Sequence, residues 1–468
     1  MREIIVDNFA GGGGASTGIE MAIGRSVDIA INHDENAVAM HRTNHPDTLH
    51  YCESVFDVSP GAATSGKPVG LTWFSPDCRH FSKAKGAKPV EKAIRGLAWI
   101  VLRWALDVGP RVMMLENVEE FKTWGPLLAA EMRPDPDRVG ETFEAFVGML
   151  TSGVPADHPA LLECCEFLEL SPDSEQAMRL ITGLGYDVDY RELRACDYGA
   201  PTIRKRFFMV MRRDGQSIVW PAATHGDPKS PAVISGKLAP WRTAAECIDW
   251  SIPAPSIFDR KKSLAENTLK RIARGIQRFV IESASPFIVK CNHTTTKGKY
   301  DCFRGQAPSE PLQTITKTHG YAIAVPHLTK FRDGQSTDEP MPTITAGGQH
   351  VGEVKTTLAV ADYDEERAQQ VLAFLQQYCG EDSTGLVDIG GVTYRIVDIG
   401  MRMLQPHELY RAQGFPEWYI IDRDYRGVKY AKDKQVARCG NAVPPPFAEA
   451  LVRANLPEMC VNKQERAA

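Results

Sequence analysis

Short apolar segments recur through the first 118 residues, and each ends in a polar or glycine-rich turn. They occupy residues 4–7, 27–31, 48–51, 69–74 and 112–115. Helical patterns separate several of them, at residues 16–23, 37–44 and 90–108. Strands that alternate with helices in this way favour a mainly parallel sheet with helices on both faces. The sequence therefore predicts an α/β fold with a doubly wound sheet, to which residues 185–188 and 207–211 add strand patterns.

A glycine-rich turn follows the first segment, with the sequence Asn8-Phe9-Ala10-Gly11-Gly12-Gly13-Gly14-Ala15. A strand, a glycine turn and a helix let backbone N–H groups approach a ligand closely. The turn suits any nucleotide-type cofactor or merely a tight turn, since it lacks the spacing of dinucleotide sites and of phosphate-binding loops. Asn32-His33-Asp34 follow the second segment, where a polar residue commonly holds a ribose. The same residues suit the start of a helix.

Cys78 follows the fourth segment through the turn Ser75-Pro76-Asp77. The carboxyl ends of parallel strands form the edge of the sheet at which ligands bind. Cys78 is therefore a candidate nucleophile, although a lone cysteine is more often a small core residue. Glu116 follows the fifth segment onto the same edge, either as a functional carboxylate or as a helix cap.

Two groups of basic residues are candidates for anion contacts. Arg204 and Arg206 flank one residue and face the same way in an extended segment, which suits a phosphate or a carboxylate. The helical pattern of residues 264–279 carries further basic residues on its polar positions, namely Lys270, Arg271, Arg274 and Arg278. For both groups a solvated basic surface is the competing interpretation.

Composition narrows the classes of protein that the chain can belong to. The 468 residues carry a formal net charge of -5, so nucleic-acid binding would need a local basic surface. The charged, strand-like start predicts no signal peptide, and no apolar run approaches the roughly 20 residues of a membrane helix. Eleven cysteines without a CxxC pair indicate reduced thiols and no structural zinc. We therefore expect a cytoplasmic protein with no membrane association and no metal.

The second half of the chain has a different character. Prolines are frequent between residues 220 and 255, as in a linker. An internal repeat follows, in which residues 303–316 resemble residues 331–345, with Pro311 and Pro340 lying 29 residues apart. Two copies are too few for a solenoid and suggest duplicated β units in a loop-rich second domain.

Three further segments have readable patterns. Residues 365–378 and 447–454 predict helices, and residues 440–446 predict a rigid loop. Residues 119–176 contain helical pieces and are interpreted as an insertion of unassigned role.

Six segments together, in this order, resemble the motifs of cytosine-5 DNA methyltransferases. They are residues 7–14, 76–82, 116–118, 201–206, 402–416 and 440–443. The resemblance implies a Rossmann-like methyltransferase sheet, S-adenosylmethionine as cofactor, and double-stranded DNA bound beside a smaller β-rich target-recognition domain. It implies a catalytic domain at residues 1–250, a target-recognition domain at 251–431, and a segment at 432–468 that completes the catalytic domain.

The resemblance also implies roles for individual residues. Cys78 would add to carbon 6 of a flipped-out cytosine, which activates carbon 5 for methylation. Glu116 would hold the base, while Arg204 would contact the base or position the catalytic group and Arg206 would support the site. The residues expected to bind the cofactor are Phe9, Ala10, Gly11, Gly13, Asn32, His33, Glu53, Pro76, Asn441 and Val443. The residues expected to bind DNA are Arg79, Ser82, Lys270, Arg271 and Arg274.

Four positions depart from the family pattern. Asp77, Arg79, Thr202 and Asn32 stand where Pro, Gln, Gln and Glu are usual. A carboxylate beside Cys78 would disfavour its thiolate unless Asp77 turns away or pairs with Arg79. None of the four removes a group that the reaction requires, so we expect an active enzyme.

Three alternatives to this function stay open. One is an RNA cytosine methyltransferase of the same fold, and another is a catalytically silent DNA-binding relative. The third, a nicotinamide-dependent dehydrogenase, is suggested only by the glycine turn. The resemblance favours a monomer in a bacterial or phage restriction-modification or anti-restriction setting, and leaves open whether a restriction endonuclease accompanies it.

Overall fold

The computed structural model describes residues 2–77, 96–128, 133–247, 249, 251–281, 287–290, 305–306, 321–328, 352–359, 363–389 and 392–462. The strands of the first half are β1 (Ile4–Asn8), β2 (Ile29–Ile31), β3 (Leu49–Tyr51), β4 (Val69–Phe74), β5 (Val112–Asn117), β6 (Leu127–Leu128), β7 (Arg133–Pro134), β8 (Asp187–Arg194), β9 (Lys205–Arg212), β10 (His225–Gly226) and β11 (Ala239–Pro240).

Seven of these strands form one sheet in the order β3-β2-β1-β4-β5-β9-β8. The first five strands pair in parallel, whereas β9 pairs antiparallel with both β5 and β8. The chain order reverses between β1 and β4, which is where ligands bind in open α/β sheets. The predicted α/β class and doubly wound sheet are confirmed, with an antiparallel edge that the sequence pattern did not indicate.

Helices cover both faces of this sheet. The helices of the first half are α1 (Gly14–Ile23), α2 (Glu35–Asn44), α3 (Pro60–Thr64), α4 (Ile100–Asp107), α5 (Glu141–Leu150), α6 (Pro159–Leu168), α7 (Glu175–Thr182) and α8 (Pro231–Ile234). Of these, α1 lies on one face of the sheet and α4 and α5 lie on the other. Helix α2 begins after Asp34, whose side chain accepts a hydrogen bond from the Asn36 N–H. Asp34 is thus the N-cap, which leaves the neighbouring Asn32 side chain for another role.

The alternation of side chains along the strands separates two cores. Ile5 and Val112 belong to the core that contains α1, while Val6 and Met113 belong to the core that contains α4 and α5. Successive side chains of a strand point to opposite faces, so apolar residues at every position require cover on both sides. Helices α5 and α6, which lie inside the predicted insertion, supply part of this cover through Phe146 and Leu161 respectively.

A second sheet lies in the later part of the chain. Its strands are β12 (Phe287–Lys290), β13 (Gly305–Gln306), β14 (Tyr321–Leu328), β15 (Gly352–Ala359), β16 (Leu386–Ile389) and β17 (Val392–Met403), in the order β13-β12-β14-β15-β17-β16. Helix α9 (Glu266–Gly275), its π-helical continuation (Ile276–Ile281) and α10 (Glu365–Cys379) share a buried apolar cluster with this sheet. Most of the predicted repeat lies outside the described residues, so the duplication and the domain boundaries stay predictions.

The last helices return to the first sheet. They are α11 (Pro406–Ala412), α12 (Lys432–Asn441) and α13 (Pro445–Asn455). Helix α13 packs along α1 so closely that a Cβ atom on Gly18 would lie 2.1 Å from the Pro445 carbonyl oxygen. The predicted rigid loop at residues 440–446 is wrong in extent, because Gly440 and Asn441 complete α12 and Pro445 begins α13. The loop itself spans only residues 442–444.

Candidate active site and cofactor turn

The glycine turn after β1 folds the backbone through left-handed conformations. Phe9, Gly11 and Gly13 have φ angles of 61°, 55° and 101°. A Cβ atom on Gly13 would lie 3.0 Å from both His45 Nε2 and the Tyr419 hydroxyl oxygen, so a glycine is required there. A Cβ atom on Gly11 would meet nothing closer than the Phe9 carbonyl oxygen at 3.9 Å. The turn is therefore packed from behind and open at Gly11.

The residues around the turn fit an adenosyl cofactor. A shallow depression, which we call the pocket, lies beside Gly11 and Asn32. The Asn8 side chain is fully buried, and neither of its amide atoms has a hydrogen-bond partner among the described residues. Buried polar groups in proteins are almost always hydrogen-bonded, so Asn8 is suited to bind a polar ligand. The N-terminus of α1, which has no side-chain cap, adds N–H groups at the same turn.

The predicted cofactor residues are not all alike in position. Phe9, Ala10, Gly11 and Gly13 form the turn, and Asn32 borders the pocket with its Oδ1 atom accepting the Asp34 N–H at 2.9 Å. His33 and Glu53 are exposed, whereas Pro76 is buried after β4. Asn441 is exposed, and Val443 is buried beside α1, where a Cβ atom on Gly14 would lie 2.3 Å from the Val443 carbonyl oxygen. Their roles stay predictions.

Glu116 and Arg206 form a buried ion pair at the edge of the sheet. Arg206 Nε lies 3.0 Å from Glu116 Oε1, because β9 runs antiparallel to β5 and places the two side chains together. Burial raises the pKa of Glu116. The rise is opposed by the positive charges of Arg206 and Arg204 and by hydrogen bonds from Arg206 and Ser75. Glu116 therefore holds a proton more readily than an exposed glutamate does. Arg204, which directly precedes β9, is only 2% exposed.

The turn that leads to Cys78 is held to the end of β5. Asn117 Nδ2 donates to the Pro76 carbonyl oxygen at 3.4 Å. Cys78, Arg79 and Ser82 themselves lie outside the described residues. The structure thus places Pro76, in the turn before the predicted nucleophile, in contact with Asn117, which follows Glu116.

The predicted DNA-binding residues of α9 have mixed environments. Lys270 pairs with Glu266 at 2.5 Å, and Arg274 is exposed. The Arg271 side chain is outside the described residues. The predicted phosphate contacts of this helix stay untested.

A comparison with protein-family models identifies the chain. The model described as C-5 cytosine-specific DNA methylase matches residues 4–124 and 171–456. The chain belongs to this family. Membership makes it a DNA cytosine-5 methyltransferase with S-adenosylmethionine as methyl donor, which confirms the predicted enzyme class and cofactor. The family model leaves out residues 125–170, which lie within the segment interpreted as an insertion.

Curated relatives are about a quarter identical to this methyltransferase over roughly half of its length. Type II methyltransferase M.AquIA of Picosynechococcus sp. is 24% identical over 262 residues, which span 54% of this chain and 91% of the relative. Type II methyltransferase M.AgeI of Thalassovita gelatinovora is 26% identical over 237 residues, spanning 50% of this chain but only 43% of the relative.

Solved structures resemble the methyltransferase more distantly. A mutant of Spodoptera frugiperda DNMT2 is 12% identical with a TM-score of 0.48, and the match covers 97% of this chain and 99% of that one.

Two polar contacts behind the cofactor turn were not predicted from the sequence. The Tyr419 hydroxyl donates to the Gly12 carbonyl oxygen. His41, His45 and His50 form a cluster, with His41 and His45 rings 4.7 Å apart. His45 directly follows the helix predicted at residues 37–44, so its i, i+4 spacing from His41 was a signal that the two side chains lie near each other. Among the described residues, no group of three or more His, Cys, Asp or Glu side chains is placed to hold a metal ion.

The helices of the described residues include none with the length and apolar character needed to cross a bilayer.

Proposed function

We propose that this methyltransferase modifies carbon 5 of cytosine in double-stranded DNA through a transient covalent bond between Cys78 and carbon 6 of the base. The observation that supports this most directly is the buried Glu116–Arg206 pair, which stands on the edge of the sheet next to the turn that precedes Cys78. This pair combines the Glu116 carboxyl group, whose pKa is raised by burial, with the guanidinium cation of Arg206.

The chemistry requires that the aromatic ring be activated. Carbon 5 of cytosine is a weak nucleophile, and addition of the Cys78 thiolate to carbon 6 breaks the aromaticity. Charge then develops on the ring, and Glu116, whose pKa is raised by burial, takes up a proton and donates a hydrogen bond to N3 to stabilise it. Arg206 orients that carboxyl group, and the cation of Arg204 adds to the same field. S-adenosylmethionine supplies an electrophilic methyl group. Loss of the carbon 5 proton and of the Cys78 sulfur restores the ring.

The target base is inaccessible within a duplex and must be flipped out of the stack, at a cost of a few kcal/mol. We assign contacts near the flipped base to Arg79 and Ser82, and phosphate contacts to Lys270, Arg271 and Arg274. Most of the second sheet lies within residues 285–400, to which we assign reading of the target sequence through the DNA grooves. The names of the Type II relatives favour a restriction-modification setting, in which the protein acts as a monomer.

Covalent trapping tests the proposal. The protein is mixed with S-adenosylmethionine and duplex DNA that carries 5-fluorocytosine in many sequence contexts, and adducts are separated on a denaturing gel. Fluorine cannot leave as a proton does, so the methylated base stays bonded to the enzyme. We expect an adduct with wild-type protein and none with Cys78→Ala. Cys52→Ala, which removes an exposed cysteine, is the matched control and retains the adduct.

Three outcomes would contradict the proposal. An adduct that persists in Cys78→Ala assigns the nucleophile to another residue. DNA binding without any adduct favours the catalytically silent relative, and an adduct with RNA alone favours the RNA methyltransferase.

A further inference from the structure

A chain of four hydrogen-bonded side chains, which we call the Asp7 relay, runs behind the cofactor turn. Ser16 Oγ donates to Asp7 Oδ2 at 2.6 Å, and His41 Nε2 lies 2.9 Å from Ser16 Oγ. His41 Nδ1 in turn lies 2.9 Å from His50 Nε2. Asp7, Ser16 and His41 are at most 1% exposed, and His50 is half-buried. The relay thus connects a buried carboxyl group to the protein surface.

The relay borders the site expected to hold the cofactor. Asp7 lies two residues before Phe9, at which the cofactor turn begins its left-handed path. His41 and His50 line the same pocket as Gly11 and Asn32. The proposed mechanism of methyl transfer uses none of the relay residues.

Every member of the relay can form its hydrogen bonds in either of two directions. With Asp7 ionised, His50 Nε2–H donates to His41 Nδ1, His41 Nε2–H donates to Ser16, and Ser16 donates to Asp7. When a proton reaches His50 Nδ1 from solvent, each member passes its own proton inward, and Asp7 Oδ2 gains one. Asp7 then donates to Ser16, Ser16 to His41, and His41 to His50. Asp7 can therefore change charge without leaving a relay hydrogen bond unmade.

Few other charges face Asp7. Its partners on the neighbouring strands, Ala30 on β2 and Trp73 on β4, are uncharged. His45, which directly follows α2, pairs with Glu20 of α1 at 2.7 Å. The positive charge of Arg42 acts on His50 at the outer end of the relay.

The remaining packed elements contribute little net charge. Glu449 and Arg453 of α13, which packs on α1, pair with each other at 2.9 Å. The Tyr419 hydroxyl is bound to the Gly12 carbonyl oxygen, and burial raises its pKa above the usual range, so it is neutral.

We propose that the Asp7 relay lets Asp7 change charge beneath the cofactor turn, and that ionised Asp7 makes the site discriminate the cationic methyl donor from its neutral demethylated product. S-adenosylmethionine carries a sulfonium cation, whereas S-adenosylhomocysteine carries an uncharged thioether. A buried carboxylate attracts the first and not the second, and protonation removes the difference. The inference rests on the cofactor turn holding S-adenosylmethionine, and it is independent of Cys78 because it concerns binding alone.

The pKa of Asp7 places this change in an accessible range. Burial raises it to about 7, and the hydrogen bonds from Ser16 act against the rise. The affinity ratio of the two ligands therefore favours S-adenosylmethionine increasingly as the pH rises through neutrality. A unit charge at roughly 10 Å in an effective dielectric constant of about 20 changes affinity on the order of tenfold.

The experiment measures the Kd of both ligands for the full-length protein by isothermal titration calorimetry between pH 5.5 and pH 8.5, without DNA. The quantity of interest is the Kd of S-adenosylhomocysteine divided by that of S-adenosylmethionine. We expect this ratio to rise with pH in the wild type by on the order of tenfold. Asp7→Asn should hold it constant at the low value, apart from any titration of the ligands themselves, which is common to all variants.

Two further variants sharpen the test. Ser16→Ala removes the donor that stabilises ionised Asp7, so the midpoint of the rise should move to higher pH. Asp57→Asn, the same chemical change at an exposed carboxylate, should behave as the wild type does.

The failure of this inference is distinguishable from failure of the proposed function. If both ligands bind but the wild-type ratio does not change with pH, or changes equally in Asp7→Asn, the relay proposal is wrong. If neither ligand binds the wild type, the cofactor turn is misassigned and both proposals fall.

Discussion

Replacing Gly18 with alanine tests how α1 and α13 meet. Gly18 lies in the interior of α1, and a Cβ atom there would lie 2.1 Å from the Pro445 carbonyl oxygen and 2.8 Å from Ala448 Cβ. The first of these is a backbone atom, so no side-chain rotation relieves the overlap. Helix α13 must move away by roughly 1 Å to reach ordinary contact distance.

The size of the effect follows from what α13 buries. Phe447, Ala448, Leu451 and Val452 have no exposed surface. A gap of 0.5–1 Å removes about a quarter to a half of each dispersion contact, and overpacking of this kind typically costs about 1–3 kcal/mol. The helix propensity of alanine offsets up to about 1 kcal/mol. We expect the free energy of unfolding to fall by about 1–2 kcal/mol overall.

Gly61→Ala provides a matched control. Gly61 also lies within a helix, α3, and its Cβ atom would meet nothing within 4 Å. It therefore shows the propensity gain alone, and its free energy of unfolding should rise by up to about 1 kcal/mol.

Urea denaturation of both variants, followed by circular dichroism, measures the difference. The Kd of S-adenosylmethionine should also rise in Gly18→Ala, because the cofactor turn leads directly into α1. If Gly18→Ala is as stable as Gly61→Ala, the two helices are not in the close contact described above.

Three further predictions concern buried carboxyl groups. Glu116→Gln should lower kcat for DNA methylation by roughly 10²–10⁴-fold with little change in DNA affinity, because it removes the acid and keeps the shape; an unchanged kcat in a methyl-transfer assay would exclude Glu116 as the acid. Glu408→Gln should lower the free energy of unfolding by about 3–5 kcal/mol, because the side chains of Glu408 and Arg402 in this ion pair are only 0% and 5% exposed. Glu417 pairs with Arg411 at the surface, so Glu417→Gln should change the free energy of unfolding by less than about 1 kcal/mol. Burial raises the pKa of Asp7 to about 7 in the folded protein, from 3.8 for an ordinary aspartate, so the folded protein keeps a proton that the unfolded chain releases. Stability should therefore fall as the pH rises from about 4 to about 7, and Asp7→Asn should lack that part of the slope in urea titrations.

The sequence predicted the parts of the fold that depend on local periodicity. The apolar segments at residues 69–74 and 112–115 match β4 and β5, and the helix predicted at residues 365–378 matches α10. Strand direction was not predictable in this way, because an apolar run such as Phe207–Met211 reads the same whether it pairs in parallel or antiparallel. The antiparallel placement of β9 is nevertheless what brings Arg206 to Glu116.

The sequence predicted those parts of the candidate site whose position follows directly from a local motif. Glu116 at the end of β5 and the turn at Gly11 are examples. The Asp7 relay was not found, because its members come from β1, α1, α2 and β3 and meet only after these elements pack. In the sequence, Asp7 is one residue of a predicted buried strand. The local pattern does not show whether its carboxylate is connected to the protein surface by hydrogen-bonded side chains.

The pairing of α1 with α13 has a consequence for protein synthesis. The two helices are separated along the chain by every strand of the two sheets except β1, and Gly14 and Gly18 of α1 complete their packing only against residues 442–449. At a translation rate of about 5–20 residues per second, α1 waits roughly 20–90 s for its partner to emerge from the ribosome. During that interval its apolar face is exposed and the cofactor turn lacks its final support. A nascent chain should therefore gain affinity for S-adenosylmethionine late and abruptly, and the unfinished protein should depend on chaperones more than the length of its individual domains would suggest.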